Sequence, residues 1–225
     1  MQRPGPSLLF AICFWSAGAA AQTRLAVAAP ATPAGKTAAV ASAPAAGHRT
    51  FHDSAYKISF DYPADWTFSR RDGEISTFHL EARSAPPATR LRAVAAIPEN
   101  PFPESTFSGA HVYLSVTPHS TGASCAMQAA AGMGAQGKAE AKAPVSQIAG
   151  IAFAHGHDEQ RHICTTDRDE VYTTLRKGAC YRFDLAMNNF CGGEVSGVKD
   201  VTAQQLDEVR RRMEAILATV RFDSK

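Results

Sequence analysis

Tyr56-Lys-Ile-Ser-Phe-Asp-Tyr-Pro-Ala-Asp-Trp66 is the stretch that decides the fold. Tyr56, Ile58, Phe60 and Tyr62 take every second position, with Lys57, Ser59 and Asp61 between them. Successive side chains of a strand point to opposite faces, so this spacing predicts a half-buried β-strand. Pro63 has no N–H to give to a ladder, which predicts a stop and a turn. Trp66 follows closely enough to fold back over the apolar face, and Trp66-Thr-Phe68 reads as sheet resumed beyond the turn.

Upstream of this strand the composition changes. Gln22 to Arg49 is dominated by Ala, interrupted by Pro30, Pro33 and Pro44, with no aromatic residue and no amphipathic period. Such a segment cannot bury enough surface to offset its ordering entropy, so residues 22–49 are expected to be a disordered Ala/Pro-rich spacer. Gly35-Lys-Thr37 within it looks like the end of a phosphate-binding loop, but the position of the loop's first glycine is Pro30 and no strand precedes it. Residues 1–21 read as an export signal. Arg3 supplies the positive start, Leu8 to Ala17 the apolar run, and Ala19-Ala-Ala21 the small residues before a cut at Gln22. That run is shorter than the ~20 apolar residues of a membrane span. The expected location is therefore periplasmic or secreted, with no stable membrane insertion after cleavage.

Downstream, residues 50–225 are expected to form a single domain. Ser76 to Arg83 and His111 to Thr117 alternate as strands, the second with Val112, Leu114 and Val116 on one face. Arg90 to Thr106, with Pro98, Pro101 and Pro103, reads as an irregular connection. Ser120 to Met133 is Ala-rich and predicts a short helix. Ile148 to Phe153, with Gly150 as an entry turn, returns to strand character. Val171–Lys177 and Ala179–Met187 form a hairpin about Gly178. The clearest helix is last. Thr202 and Gln205 make a capping box, and Leu206, Val209, Met213, Ile216, Leu217 and Val220 form one apolar stripe. Asp207/Arg211 and Glu208/Arg212 are spaced for acid-before-base pairs, which makes Arg210 to Arg212 a solvated face. Val220-Arg-Phe222 can add a terminal strand.

The order of these elements, opening on Tyr-x-Ile-x-Phe-x-Tyr-Pro-x-x-Trp and closing on a long helix that runs into Val220-Arg-Phe222, resembles the PsbP-like family. That family comprises extrinsic proteins of photosynthetic membranes and their small exported bacterial relatives. The resemblance spans Phe51 to Phe222. It implies an α+β fold, an antiparallel sheet covered by helices in an α/β/α sandwich. It also implies a non-enzymatic binding or assembly module, with no cofactor and no set of catalytic residues. The partner expected is a protein or small ligand of the cell envelope. The cysteines and the Ala/Pro spacer depart from the plant-type members, so no photosynthetic role carries over.

Charge and motifs narrow the chemistry further. Lys and Arg number 23 against 21 Asp and Glu, a balance without the basic field that neutralises phosphates, so nucleic acid is not an expected partner. His155, His157 and His162 are the densest group of the eight histidines, with Asp158 and Glu159 between them. They are the candidate metal ligands and define the alternative function, a metal-binding protein or metal-dependent hydrolase using the His155–His162 segment. The competing reading, which the spacing favours, is a polar strand end. His111 and Tyr113 share a strand face, and Asp184 lies opposite the apolar face of its own strand, so these three are candidates to line a cleft, against the ordinary reading of such placements as solvated sheet faces. No Gly-x-Ser-x-Gly nucleophile elbow is present.

Loss of the signal removes Cys13 and leaves Cys125, Cys164, Cys180 and Cys191, an even set that implies disulfides in an exported chain. Their wide spacing is unlike the close pairs of zinc sites. If 151–163, 171–177 and 179–187 are consecutive antiparallel strands, Cys164 and Cys191 fall at one edge of the sheet and Cys180 at the other. A Cys180–Cys191 bridge would then have to close a strand of roughly 25–30 Å, although a disulfide needs Cα atoms within about 7 Å. The expected pairing is Cys164–Cys191 and Cys125–Cys180. Non-reducing peptide mapping should recover those two linked peptides; a Cys180–Cys191 peptide would show the strand assignment for 179–187 to be wrong.

Overall fold

The computed structural model describes residues 47–70, 86, 88–130, 144–161, 163–190, 192 and 197–223. The expected strand at Ser76–Arg83 lies outside them. Within the motif, Ile58, Phe60 and Tyr62 are buried on one face of β2 (Ile58–Pro63), as the alternation predicts. Tyr56 and Lys57 sit instead in a turn, because an additional strand precedes them. β1 (His48–Asp53) pairs antiparallel with β2, Phe51 opposite Phe60 and Asp53 opposite Ile58. Its first two residues belong to the stretch assigned to the spacer, and its single large apolar residue, Phe51, gives too weak a pattern to read. Asp53 closes the turn by accepting the N–H groups of Ala55 and Tyr56 at 3.0 and 3.1 Å.

Beyond Pro63 the chain does not continue the same sheet. Trp66 N–H donates to the Pro63 carbonyl at 3.0 Å, and the buried indole marks the crossing into a second sheet. That sheet begins at β3 (Thr67–Ser69) and β4 (Arg90–Ala96). The region expected to be irregular starts as a strand because Leu91, Ala93 and Ala95 are buried, a small-residue pattern broken by a bulge between Leu91 and Ala93. β5 (Phe107–Thr117), β6 (Val145–Ile148), β7 (Ile151–Arg161), β8 (Thr165–Arg176) and β9 (Ala179–Phe190) complete it. Their order is β3-β4-β5-β9-β8-β7-β6, antiparallel throughout. Ile148–Phe153, read as one strand, is split by Ala149 and Gly150 at φ 50° and 77° into the β6–β7 hairpin. Lys177 and Gly178, at φ 48° and 75°, make the two-residue β8–β9 turn. β10 (Arg221–Phe222) joins β2, giving a three-stranded sheet β1-β2-β10.

Two helices lie among the described residues, one on each face of the larger sheet. α1 (Gly122–Ala130) packs on β7 and β8, and its Cys125 forms a disulfide with Cys180 of β9. Cys164 is also disulfide-bonded, while Cys191 lies outside the described residues. α2 (Ala203–Leu217) has the capping box expected at Thr202 and Gln205, and it buries Val209, Met213, Ile216 and Leu217 on the opposite face. The expected acid–base pairs are replaced. Arg210 holds Asp207 at 2.9 Å, Arg211 donates to the Asp207 carbonyl, and Arg212 lies 5.7 Å from the Trp66 ring centroid. The three-stranded sheet shares α2's face, where Phe60 meets Phe183 edge-on at 6.2 Å. Cover comes from sheet as much as from helix, so antiparallel sheet dominates the architecture more than the expected α/β/α sandwich would have it.

The seat of α1 is Gly156. A β-carbon there would stand 1.9 Å from the carbonyl oxygen of Ala129, a backbone atom that cannot swing aside. Gly156→Ala should therefore destabilise the protein by about 1–3 kcal/mol, as overpacking does. Urea unfolding reads this directly. A midpoint equal to that of wild type would mean that α1 is not seated on β7.

Candidate functional site

His155 and His157 project from the same face of β7, as their spacing requires. What joins them is a carboxylate that the sequence reading did not select. Glu170 of β8 faces His157 in the strand register and accepts from His155 Nε2 at 2.6 Å and from His157 Nδ1 at 3.1 Å. Burial pushes the Glu170 carboxyl up, but hydrogen bonds and charge from the two histidines outweigh it and hold it below the usual range. The His155 ring stacks on Tyr172 at 4.2 Å, and the Tyr172 hydroxyl donates to Glu214 of α2 at 3.3 Å. The cluster thus ties β7, β8 and α2 together. His162 lies outside the described residues, among which no group of three or more His, Cys, Asp or Glu side chains is arranged to hold a metal ion.

His111, Tyr113 and Asp184 do share a layer, on the α1 face of the sheet. Tyr113 stands opposite Asp184 across the β5–β9 ladder, and the His111 ring stacks on Tyr113 at 5.7 Å. The layer is closed rather than an open cleft, with Tyr113 at 5% and Asp184 at 1% exposure. Arg182 neutralises Asp184 through Nε at 2.8 Å and a second guanidinium nitrogen at 2.6 Å. Asp169 of β8 lies on the same face, directly opposite Asp158, and its Oδ1 is buried without a hydrogen-bond partner. Burial, then the charges of Asp184, Asp158 and Asp167, push its carboxyl up to about 8. Ser115 Oγ and the Gln128 amide are also buried without partners.

An accessible concavity of about 430 Å³ opens elsewhere, where the β1–β2 turn, the β8–β9 turn and β10 converge. Its walls are Tyr56, Lys57, Arg176, Lys177, Tyr181, Phe222 and Asp223. Two hydrogen bonds to backbone carbonyls hold these segments together. The Tyr181 hydroxyl donates to the Tyr56 carbonyl at 2.7 Å, and Asp223 N–H donates to the Lys57 carbonyl at 2.9 Å. The rings meet edge-on, Tyr56 on Tyr181 at 6.4 Å and Tyr181 on Phe222 at 4.8 Å. Arg176 lies 5.2 Å from the Phe222 ring centroid. Arg92 sits 4.9 Å from the Tyr56 ring centroid and is paired with buried Asp53 at 2.7 Å. Burial, then Asp53 and Tyr56, push the Tyr181 hydroxyl up, which keeps it a neutral donor. Sequence reading missed this groove because its residues come from three separated segments. The one local signal was Lys177 preceding Gly178 in a turn that favours Asn or Asp.

Asp169 has a measurable consequence. In the unfolded chain its carboxyl titrates near 3.8, whereas in the fold it stays protonated to about 8. Between those values the unfolded state binds fewer protons, so this group's contribution to stability falls as pH rises, with a limiting slope of about 1.4 kcal/mol per pH unit. Below that window the contribution is fully present; above it the loss is complete. Asp169→Asn should therefore gain stability over wild type progressively from about pH 4 to about pH 8. Urea denaturation near both ends of the window measures it, and a constant difference would show that Asp169 ionises normally.

No family model matches the chain, and no curated protein matches it. Solved structures similar to it include the solution structure of a cyanobacterial PsbP from Synechocystis, at 13% identity and a TM-score of 0.44, covering 85% of this chain and 100% of that one. LpqN of Mycobacterium tuberculosis, described as involved in cell envelope biogenesis, is 12% identical with a TM-score of 0.39, covering 79% of this chain and 91% of its own. A crystal structure from Bacteroides thetaiotaomicron is 13% identical with a TM-score of 0.42, covering 78% of this chain. The chain spans 48% of that protein's length. The neighbours thus include a PsbP, from the family that the Tyr56–Trp66 motif resembles.

Proposed function

We propose that this protein is an exported, non-enzymatic binding module of the cell envelope, and that it takes its ligand in the groove between the β1–β2 turn, the β8–β9 turn and β10. The observation that carries this reading is how the polar groups are divided. The strongly perturbed acid, Asp169, is 7% exposed in a closed layer, out of reach of a substrate. Among the described residues the accessible groove offers aromatic walls and cations, and its one carboxylate, Asp223, is hydrogen-bonded to His52. Binding needs an apolar wall and a few placed polar groups, which the groove supplies.

Export after Ala21, a flexible spacer up to β1 and a Cys164–Cys191 bridge complete the reading. Disulfides suit an oxidising compartment. No helix among the described residues is long and apolar enough to cross a membrane.

Native mass spectrometry of the protein isolated from its host's envelope provides the test. A co-purifying small molecule or partner should be present on wild type and lost from Phe222→Ala, with the disulfides intact and the protein folded. Equal occupancy on the variant would place the ligand elsewhere, and turnover of the captured species would contradict a non-enzymatic role.

A further inference from the structure

We infer that the groove selects a small organic anion with an aromatic body, of which an aromatic carboxylate is the simplest case; this rests on the groove being the binding site proposed above. Lys57 and Lys177 carry it first. Both are in the left-handed backbone region, at φ 55° and 48°. A side chain with a β-carbon is disfavoured there by about 1–2 kcal/mol, and the two-residue turn that holds Lys177 prefers Asn, Asp or Gly at such a position. Folding alone therefore gains nothing from lysine at either place. What lysine adds is charge, delivered to one groove from two different turns.

The charge is locally uncompensated. Among the described cations outside the groove, Arg92, Arg161, Arg168, Arg182, Arg210 and Arg221 hold carboxylates, whereas Arg49, Arg90 and Lys199 do not. The side chains of Lys57, Arg176 and Lys177 hold none among the described residues. The groove's one acid, Asp223, is engaged with His52 Nε2 at 3.1 Å. With Asp223 counted, the described lining of the groove carries a formal excess of two positive charges, in a chain whose overall charge is close to balanced. An anion supplies what they lack, and Arg176, packed over Phe222, can offer two parallel N–H groups to a carboxylate. The aromatic body follows from the wall. Tyr181 is set edge-on to both Tyr56 and Phe222, which suits insertion of a further ring by offset or edge contact. A volume of about 430 Å³ fits a ligand of one or two rings.

The test titrates the mature protein with naphthoate, with naphthylmethanol as its neutral counterpart, and with inorganic phosphate. Binding is read by calorimetry and by backbone amide shifts. The variant is Lys57→Asn with Lys177→Asn, which removes both charges and is at ease at positive φ, so its melting temperature should not fall. Naphthoate should bind with shifts centred on Tyr56, Tyr181 and Phe222. It should bind about ten-fold more tightly than naphthylmethanol and lose about ten-fold in the variant, the scale of a charged hydrogen bond. Equal binding of naphthoate and naphthylmethanol at the groove would overturn the anion class while leaving the groove as a binding site. Phosphate matching naphthoate would overturn the aromatic body. Naphthoate without shifts in the groove would overturn the ligand class outright. Failure of the groove itself reads differently, as a co-purifying species that Phe222→Ala does not release.

Discussion

The structure depends on β9 being buried on both faces at once. From Cys180 to Met187 every residue is buried, with Tyr181, Phe183, Leu185 and Met187 on one side and Cys180, Arg182, Asp184 and Ala186 on the other. A strand in this position has neighbours in every direction: β5 and β8 by hydrogen bonds, α2 and the three-stranded sheet on the apolar face, α1 on the polar face. A slip of one residue would turn Arg182 and Asp184 into the aromatic core, so the register is fixed by two incompatible environments.

The polar side of that constraint is costly. A charged pair and an uncompensated acid sit where apolar side chains would pack without penalty. Once it ionises, above about pH 8, Asp169 adds like charge directly across from Asp158, an arrangement that destabilises a sheet. The Cys125–Cys180 bond acts on the same layer. It joins α1 to β9 across 55 residues of chain, a closure worth about 4 kcal/mol in the chain-entropy model. Together with the seat at Gly156, it holds a short helix over a surface that offers it little apolar area. The bond that secures α1 is of the kind that persists in an oxidising compartment.

The apolar side of β9 positions the groove. Tyr181 contributes its ring to the wall and its hydroxyl to the Tyr56 carbonyl, so the two turns are held by the packing that forms the core. Rigid packing behind a solvent-facing rim is the arrangement that binding calls for, since little order has to be gained when a ligand arrives.

Periodic elements were legible in the sequence because their information is local. The Ile58–Tyr62 alternation, the Lys177-Gly178 hairpin and the Thr202–Gln205 cap each follow from neighbouring residues. β1 and β4 were not, since one Phe and a run of Ala and Leu leave a weak period that only pairing with β2 and β5 resolves. Thr67 and Phe68 were correctly read as strand, with Trp66 in the bend before them, but were assigned to the wrong sheet, because a turn fixes where a strand ends and not which partner it next meets. The same distinction separates the sites. Spacing alone put His155 and His157 on one face, whereas Glu170 reached them only through the β7–β8 register. Nothing in the sequence joined Lys57, Arg176 and Phe222. They lie far apart along the chain, and a site made by the convergence of segments exists only once tertiary packing has brought those segments together.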